Sequence, residues 1–275
     1  MLAALRIIGS VVAYRIRKLE MANLAGAGSI AVALQLPIGD IVFRTAFCFV
    51  LNALVYLNND YIDIQIDLNS ADKDAEKSRY LAQNKRAALH AQLGLVGLLF
   101  AAALVYDLGL LVPLVLGGGI CWWYSAQLKH RPGWDIVAMI IWGVTMPLCG
   151  SPVTHPVGLF MALQLGLFSG VFETIQVMRD ADEDAEEGVR TTGVVLGKKR
   201  THQLARLQML GCTAYALLFM QPWAAGVSLF ALVLPFSDHN IEQYWTRVKL
   251  VYGVSWLVIC GWVFFYGQRA GLLNL

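Results

Sequence analysis

Residues 41–67 read IVFRTAFCFVLNALVYLNNDYIDIQID, an apolar run that ends in three aspartates. Over residues 41–59 the run carries a single charge, Arg44. About 20 apolar residues are needed for an α-helix to cross the hydrocarbon core of a bilayer. The segment 41–62 is therefore predicted to cross a membrane and to carry acidic side chains where it leaves the hydrocarbon.

The rest of the chain has the same character. Of its 275 residues 57% are hydrophobic, and only 15% are charged, against roughly 25% charged in soluble domains. This composition excludes soluble globular, disordered and fibrous proteins and predicts an all-α polytopic membrane protein of about nine transmembrane helices. The predicted spans are residues 21–37, 41–62, 87–106, 109–127, 135–154, 157–178, 202–220, 223–236 and 249–267.

The 21 Lys and Arg residues are sorted to one side of this arrangement. All but Arg44 and Arg269 fall in the N-terminal arm or in alternate loops. Because positively charged loops face the cytoplasm, nine spans place the N-terminus inside and the C-terminus on the opposite side of a bacterial inner or plasma membrane. Residues 1–20 are expected to form a cytoplasmic interfacial segment, and residues 21–275 a single transmembrane domain. The net charge of +2 indicates no nucleic-acid partner; membrane lipid is the expected surrounding.

Two further groups of residues are given structural roles. The five Cys all lie in apolar segments and are expected to be packing residues, without disulfides or a cysteine metal site. Trp122, Trp123 and Tyr124 are expected to belong to an aromatic belt at the membrane surface, with a cavity wall as the alternative.

Most of the 19 acidic residues fall into two runs, each where a predicted helix leaves the membrane on the charged side. At about 100° per residue, the polar residues on or beside one face of the first helix are Asn52, Tyr56, Asn59, Asp60, Asp63 and Asp67. Those on one face of the other helix are Glu173, Gln176, Asp180 and Asp184. Because polar groups are costly against lipid, both faces are predicted to line a protein cavity.

Carboxylates stacked in this way repel one another, by about 3–4 kcal/mol at 4–5 Å and an effective dielectric near 20. Such an arrangement calls for bound cations, and oxygen ligands without His or Cys suit Mg²⁺. The pattern predicts two facing aspartate clusters that hold Mg²⁺ on a diphosphate, with basic side chains completing the clamp. The basic candidates on the same side are Lys77, Arg79, Lys129, Arg131 and Arg190.

Three motifs resemble those of the UbiA superfamily of intramembrane prenyltransferases. Asn59, Asp60, Asp63 and Asp67 fit its NDxxDxxxD motif. The resemblance to its second motif lies in Asp180 to Asp184 with Gly188, Arg190 and Thr192. The resemblance to the basic stretch after its fourth helix lies in Lys129 to Gly133. The resemblance implies a helical bundle around a central cavity, with the active site toward the cytoplasmic face.

The resemblance also implies roles for individual residues. An isoprenyl diphosphate would bind with its head on Mg²⁺ and its tail between helices, and an aromatic or other lipophilic acceptor would capture the prenyl group. The metal and catalytic residues would be Asp60, Asp63, Asp180 and Asp184. Those contacting diphosphate would be Asn59, Lys77, Arg79, Lys129, Arg131 and Arg190; the supporting polar residues would be Asn52, Tyr56, Asp67, Glu173 and Gln176.

Two alternatives remain at this point. The stretch Lys77-Ser78-Arg79-Tyr80-Leu81 lacks the Pro and Gly common in the family, and no acceptor signature is present. This keeps open a terpene cyclase that ionises and cyclises the diphosphate without an acceptor. A transporter would place polar groups near the membrane centre and show internal repeats; the acids here cluster at one face instead.

Overall fold

The computed structural model describes residues 2–18, 20–69 and 75–273, without the side chains of residues 66, 67, 69 and 75. All regular secondary structure in these residues is helical. The α-helices are α1 (Leu2–Arg17), α2 (Ala22–Ala33), α3 (Ile38–Ile62), α4 (Ile64–Asn69), α5 (Ala75–Gln83), α6 (Lys85–Tyr106), α7 (Gly118–Ala126), α8 (Trp134–Thr145), α9 (Pro156–Arg179), α10 (Ala181–Glu186), α11 (Thr192–Tyr215), α12 (Pro222–Leu229) and α13 (Ile241–Tyr266).

Each of the nine predicted spans overlaps a helix. Five helical stretches in the described chain are long and apolar enough to cross a membrane: Ile38–Ile62, Lys85–Tyr106, Leu108–Ala126, Pro156–Arg179 and Ile241–Tyr266. Three shorter apolar stretches are Ala22–Ala33, Trp134–Gly150 and Pro222–Val233. The all-helical fold with apolar spans is confirmed, and the count of nine spans stays a prediction.

The outer surface of the bundle is strongly apolar. Val105 is 89% exposed and Phe265 is 79% exposed, which hydrocarbon tolerates and water does not. Two shallow apolar grooves also lie on this surface, one lined by residues of α12 and α13 such as Val227 and Leu250, the other by residues of α3 such as Val42. Neither groove contains an acidic motif residue, so neither lies at the acidic motifs.

Helix α9 lies at the centre of the bundle. Within its most apolar stretch 61% of the residues are buried, against 28% for α6. It packs closely on α8 through Gly166 and Gly170, the two ends of a small-xxx-small pattern. A Cβ at Gly166 would lie 2.2 Å from Val144 Cγ2, and one at Gly170 would lie 2.6 Å from Ile140 Cγ1. The glycines therefore set the separation of the two helices.

The acidic motifs lie where α3 and α9 end, and we call this end of the bundle the motif end. Helix α1 packs there, with a buried stripe of Ile7, Val11, Tyr14 and Arg15. Its apolar members form one cluster with residues of α3, α5 and α6, including Leu57. The N-terminal segment is thus helical and is attached to the bundle by both apolar contacts and a charged side chain, and its place at a membrane interface stays a prediction.

The two motif helices do not continue through their acidic residues, and the predicted continuous faces are wrong beyond residues 62 and 179. Asp63 has φ −85° and ψ 7°, and Asp180 has φ −84° and ψ −3°. Each backbone N–H still closes the last helical turn, from Asp63 to Asn59 O at 2.9 Å and from Asp180 to Gln176 O at 3.0 Å. With ψ near zero instead of about −42°, the chain then changes direction.

Most of the cysteines pack in the interior, as predicted. All five are free thiols, and four of them, Cys48, Cys121, Cys149 and Cys212, are buried among apolar side chains.

Candidate active site

Asp60, in the last turn of α3, is more deeply buried than Asp63, with 1% of its surface exposed. Its two carboxylate oxygens accept from different cations, Arg15 Nη2 at 2.6 Å and Lys77 Nζ at 2.8 Å. Arg15 comes from α1 and Lys77 from α5, and both are buried. Asp60 therefore joins three helices, and its charge is compensated by the protein itself.

Aromatic rings support these two cations. The Arg15 guanidinium lies over the Tyr56 ring, 4.5 Å from its centroid, and Lys77 Nζ lies 4.2 Å from the centroid of Tyr14. The Tyr56 hydroxyl donates to the backbone carbonyl of Glu20, whose carboxylate also accepts from Arg15. Buried cations held between carboxylates and ring faces keep a fixed position.

Asn59 and Asp63 of the first motif contact α7 and the segment that follows it. Asp63 accepts from Lys129 Nζ, and Asn59 Oδ1 accepts from the Ser125 hydroxyl at 2.9 Å. The predicted phosphate ligand Lys129 thus lies beside the first motif. Asp67 has its side chain outside the described residues, so its predicted supporting role stays a prediction.

The second motif is more exposed than the first. Asp180 accepts from Arg179 Nε at 2.6 Å and from its Nη2 at 3.1 Å, while Arg179 also binds Glu242 of α13 at 2.9 Å. Asp184 accepts from the Thr191 hydroxyl at 2.9 Å. Burial raises the pKa of Asp184 above its ordinary value, and nearby carboxylates, Asp180 first, raise it further.

Lys and Arg side chains relieve the repulsion between the motif carboxylates, for which the sequence predicts bound metal ions. Asp60, Asp63 and Asp180 each pair with Lys or Arg. No group of three or more His, Cys, Asp or Glu side chains converges as a metal site in the described part of the chain. The oxygen donor set nevertheless fits Mg²⁺, because this ion needs only one or two carboxylates when phosphate oxygens and water complete its shell.

Asp135, at the start of α8, joins the two sides of the site and was not singled out from the sequence. It is 0% exposed; it accepts from Thr192 N at 2.7 Å and from the Thr192 hydroxyl. Thr192 Oγ1 also accepts from Gly133 N at 2.6 Å. Because Thr192 follows the Thr191 that binds Asp184, this network ties the basic loop 128–133 to the second motif.

Two predicted polar residues lie buried on the membrane side of the motifs. Asn52 is 0% exposed; its Nδ2 donates to Cys48 O at 2.9 Å, and its Oδ1 has no hydrogen-bond partner among the described residues. Glu173 is buried, and its Oε1 accepts from the Tyr124 hydroxyl at 3.0 Å. Trp122 and Trp123 are exposed, as an aromatic belt requires, but Tyr124 turns inward to Glu173, which corrects its assignment to the belt.

The remaining candidates lie nearer the surface. Gln176 is half-buried, and the three exposed basic residues are Arg79, Arg131 and Arg190. The structure therefore brings Lys77 and Lys129 directly to the acidic motifs and leaves the three arginines at the rim.

One residue could have been found from helical periodicity. Arg15 falls on the stripe of Ile7, Val11 and Tyr14, at the spacing of one face of α1. Asp135 gave no such signal, because its partner Thr192 is 57 residues away in the sequence.

Comparison with known proteins agrees with this architecture. The model of the UbiA prenyltransferase family matches residues 22–258. The 4-hydroxybenzoate octaprenyltransferase of Alcanivorax borkumensis is 23% identical over 261 residues, covering 89% of this chain and 86% of that protein. The lycopene elongase/hydratase of Haloarcula japonica is 27% identical over 237 residues, covering 78% of this chain and 76% of that protein.

The fold is also that of a solved structure. A UbiA homologue from Archaeoglobus fulgidus, bound to GPP and Mg²⁺, superimposes with a TM-score of 0.66 at 15% identity, covering 94% of this chain and 99% of that one. With a family match over most of its length and five apolar spans, the chain is an integral membrane enzyme and belongs to the UbiA prenyltransferase family.

Proposed function

We propose that this enzyme transfers a prenyl group from an isoprenyl diphosphate to an aromatic or other lipophilic acceptor, with Mg²⁺ bound and pyrophosphate released. The observation that carries the proposal is the meeting of Asp60 and Asp63 with Arg15, Lys77 and Lys129 at the motif end. Acidic and basic groups in one small space match a ligand that combines divalent cations with phosphate oxygens. The relatives named as prenyltransferases support the same reaction.

The protein residues divide the work between them. Asp60, Asp63, Asp180 and Asp184 would hold Mg²⁺, which when bound neutralises charge on the leaving pyrophosphate. Cations now paired with these carboxylates turn to phosphate oxygens when the diphosphate binds. The cations that take this role are Arg15, Lys77 and Lys129, with Arg79, Arg131 and Arg190 at the rim.

The prenyl tail lies between the apolar helices on the membrane side of the motifs. Exclusion of water there protects the allylic cation until the acceptor captures it. The sorting of basic residues supports a cytoplasmic motif end, with the N-terminus on that side and the C-terminus on the other.

The test supplies purified protein in detergent with geranylgeranyl diphosphate, with Mg²⁺ or with EDTA, and with or without aromatic acceptors such as 4-hydroxybenzoate. We expect pyrophosphate release that needs Mg²⁺, with a prenylated product only when an acceptor is present. Asp180→Asn, which alters a half-exposed residue, serves as the inactive control. A cyclic hydrocarbon formed without acceptor would favour the cyclase, and no pyrophosphate with any prenyl chain length would refute both reactions.

A further inference from the structure

Glu173 differs from Asp60, Asp63 and Asp180 in its surroundings. It lies in α9, is 7% exposed, and accepts one hydrogen bond from the Tyr124 hydroxyl at 3.0 Å. No ion pair joins it to Lys, Arg or His within the part of the chain that the structure describes. A buried carboxyl without a cation is costly to maintain, so a functional reason for it is needed.

Its position is deeper in the bundle than the diphosphate site. Glu173 precedes Asp180 by seven residues, which is about 10 Å along a helix and nearly the same face. Tyr124 precedes Ser125, whose hydroxyl binds Asn59 of the first motif. The Glu173 carboxyl therefore lies just below both motifs, on the side toward which the prenyl chain must extend from its diphosphate.

We propose that Glu173, oriented by Tyr124, is the base that accepts the proton released in the last step of the reaction. This inference rests on the proposed function. After the allylic cation bonds to a carbon of the acceptor, that carbon still carries its hydrogen. Glu173 takes the proton, the electrons of the broken C–H bond restore the double bond of the acceptor, and the carboxylate becomes a carboxylic acid. The proton passes to water when the products leave.

Other groups are less well placed for this step. The released pyrophosphate is itself a base, but Mg²⁺ and the basic side chains of the motif end would hold its charge and lower its basicity. Asp60 and Asp63 are paired with Arg15, Lys77 and Lys129. A carboxylate that water does not solvate accepts a proton readily when a cation forms beside it.

A purely structural role would be a hydrogen bond between α7 and α9, and Glu173→Gln separates the two roles. The amide oxygen of Gln still accepts the Tyr124 hydroxyl, but the side chain no longer accepts a proton. Glu173→Asp keeps the acid, and Tyr124→Phe keeps Glu173 but removes its orienting bond. All three are compared with wild type in thermal unfolding, so that only folded variants enter the kinetic comparison.

The experiment is a single turnover with geranylgeranyl diphosphate, Mg²⁺ and an acceptor that the wild type uses, with pyrophosphate and organic products measured separately. We expect Glu173→Gln to release pyrophosphate within about threefold of the wild-type rate and to form the prenylated product at least about 100-fold more slowly. Prenyl alcohol from capture of the cation by water should accumulate instead. Deuterium at the attacked carbon of the acceptor should slow product formation in Glu173→Gln far more than in wild type.

The outcomes are distinct. A wild type that releases no pyrophosphate refutes the proposed function and this inference with it. A wild type that works, together with a folded Glu173→Gln that forms the same product at the same rate, overturns the inference alone. It is also overturned if Glu173→Asp is folded and loses the product as fully as Glu173→Gln does, because the acid would then not be what matters.

Discussion

Replacing Asp60 by Asn should destabilise the protein as well as abolish activity. Asp60 is 1% exposed and accepts from two buried cations, Arg15 and Lys77. Removing one partner of a buried ion pair costs about 3–5 kcal/mol, because a charge is left uncompensated. Arg15 keeps its contact with Glu20, so we take the lower end of that range. A loss of about 3 kcal/mol lowers Tm on the order of 10 °C in a domain of this size.

Asp180→Asn is the matched control, because it removes one acid from the other motif. The Asp180 side chain is 32% exposed, and its partner Arg179 keeps Glu242. Exposed ion pairs contribute about 0–1 kcal/mol. We therefore expect the Tm of Asp180→Asn to stay within about 3 °C of wild type, although its activity is lost too.

The four buried cysteine thiols supply the assay. A thiol-reactive fluorescent dye labels them only as the protein unfolds, so a temperature ramp in detergent gives the Tm of each variant. Adding Lys77→Met to Asp60→Asn removes one of the two cations whose charge Asp60 balances and should recover part of the loss. Equal Tm values for Asp60→Asn and Asp180→Asn would refute the electrostatic reasoning.

Three further predictions use other contacts. Gly193→Ala would place a methyl 1.9 Å from a backbone carbonyl of α9 and should cost about 1–3 kcal/mol. Gly211→Ala, in the same helix with open space around it, should not lower Tm. Equal Tm values for Gly193→Ala and Gly211→Ala would contradict the steric reasoning. Burial and the Lys129 charge lower the pKa of His130. The unfolded chain therefore binds a proton on this imidazole more tightly than the folded chain does. The free energy of unfolding should fall as pH drops through the ordinary histidine range. Lys129→Met should raise this pKa in an NMR titration of the ring; an unchanged pKa would exclude the Lys129 contribution. Asp135→Asn turns an amide toward a backbone N–H and should lower the free energy of unfolding by about 1–3 kcal/mol. It should also raise KM for the diphosphate. Unchanged Tm and KM would exclude a positioning role for Asp135.

Much of the fold followed from the sequence because lipid imposes a simple rule on it. Apolar stretches of spanning length such as 157–178 must be helical, since hydrocarbon offers no partner for backbone N–H and C=O groups. The acids at residues 60, 63, 180 and 184 were found because two runs of charge in an apolar chain are conspicuous. Both depend only on local sequence.

What the sequence did not reveal depends on contacts between distant segments. Arg15 was assigned to an interfacial segment because its carboxylate partner, Asp60, lies 45 residues away. The turns at Asp63 and Asp180 arise where each chain leaves its helix, and helical periodicity alone continues through them. Tyr124 was placed with its exposed neighbours because an aromatic side chain suits either a lipid boundary or an internal hydrogen bond.

The ends of α3 and α9 have an electrostatic consequence of their own. Aligned peptide dipoles give the C-terminal end of a helix about half a negative charge, and two such ends point into the motif end together with its carboxylates. The backbone thus repels an anionic ligand before any side chain acts. For the diphosphate substrate proposed above, this backbone field adds to the repulsion by the carboxylates, so we expect binding to be tighter together with divalent cations than without them.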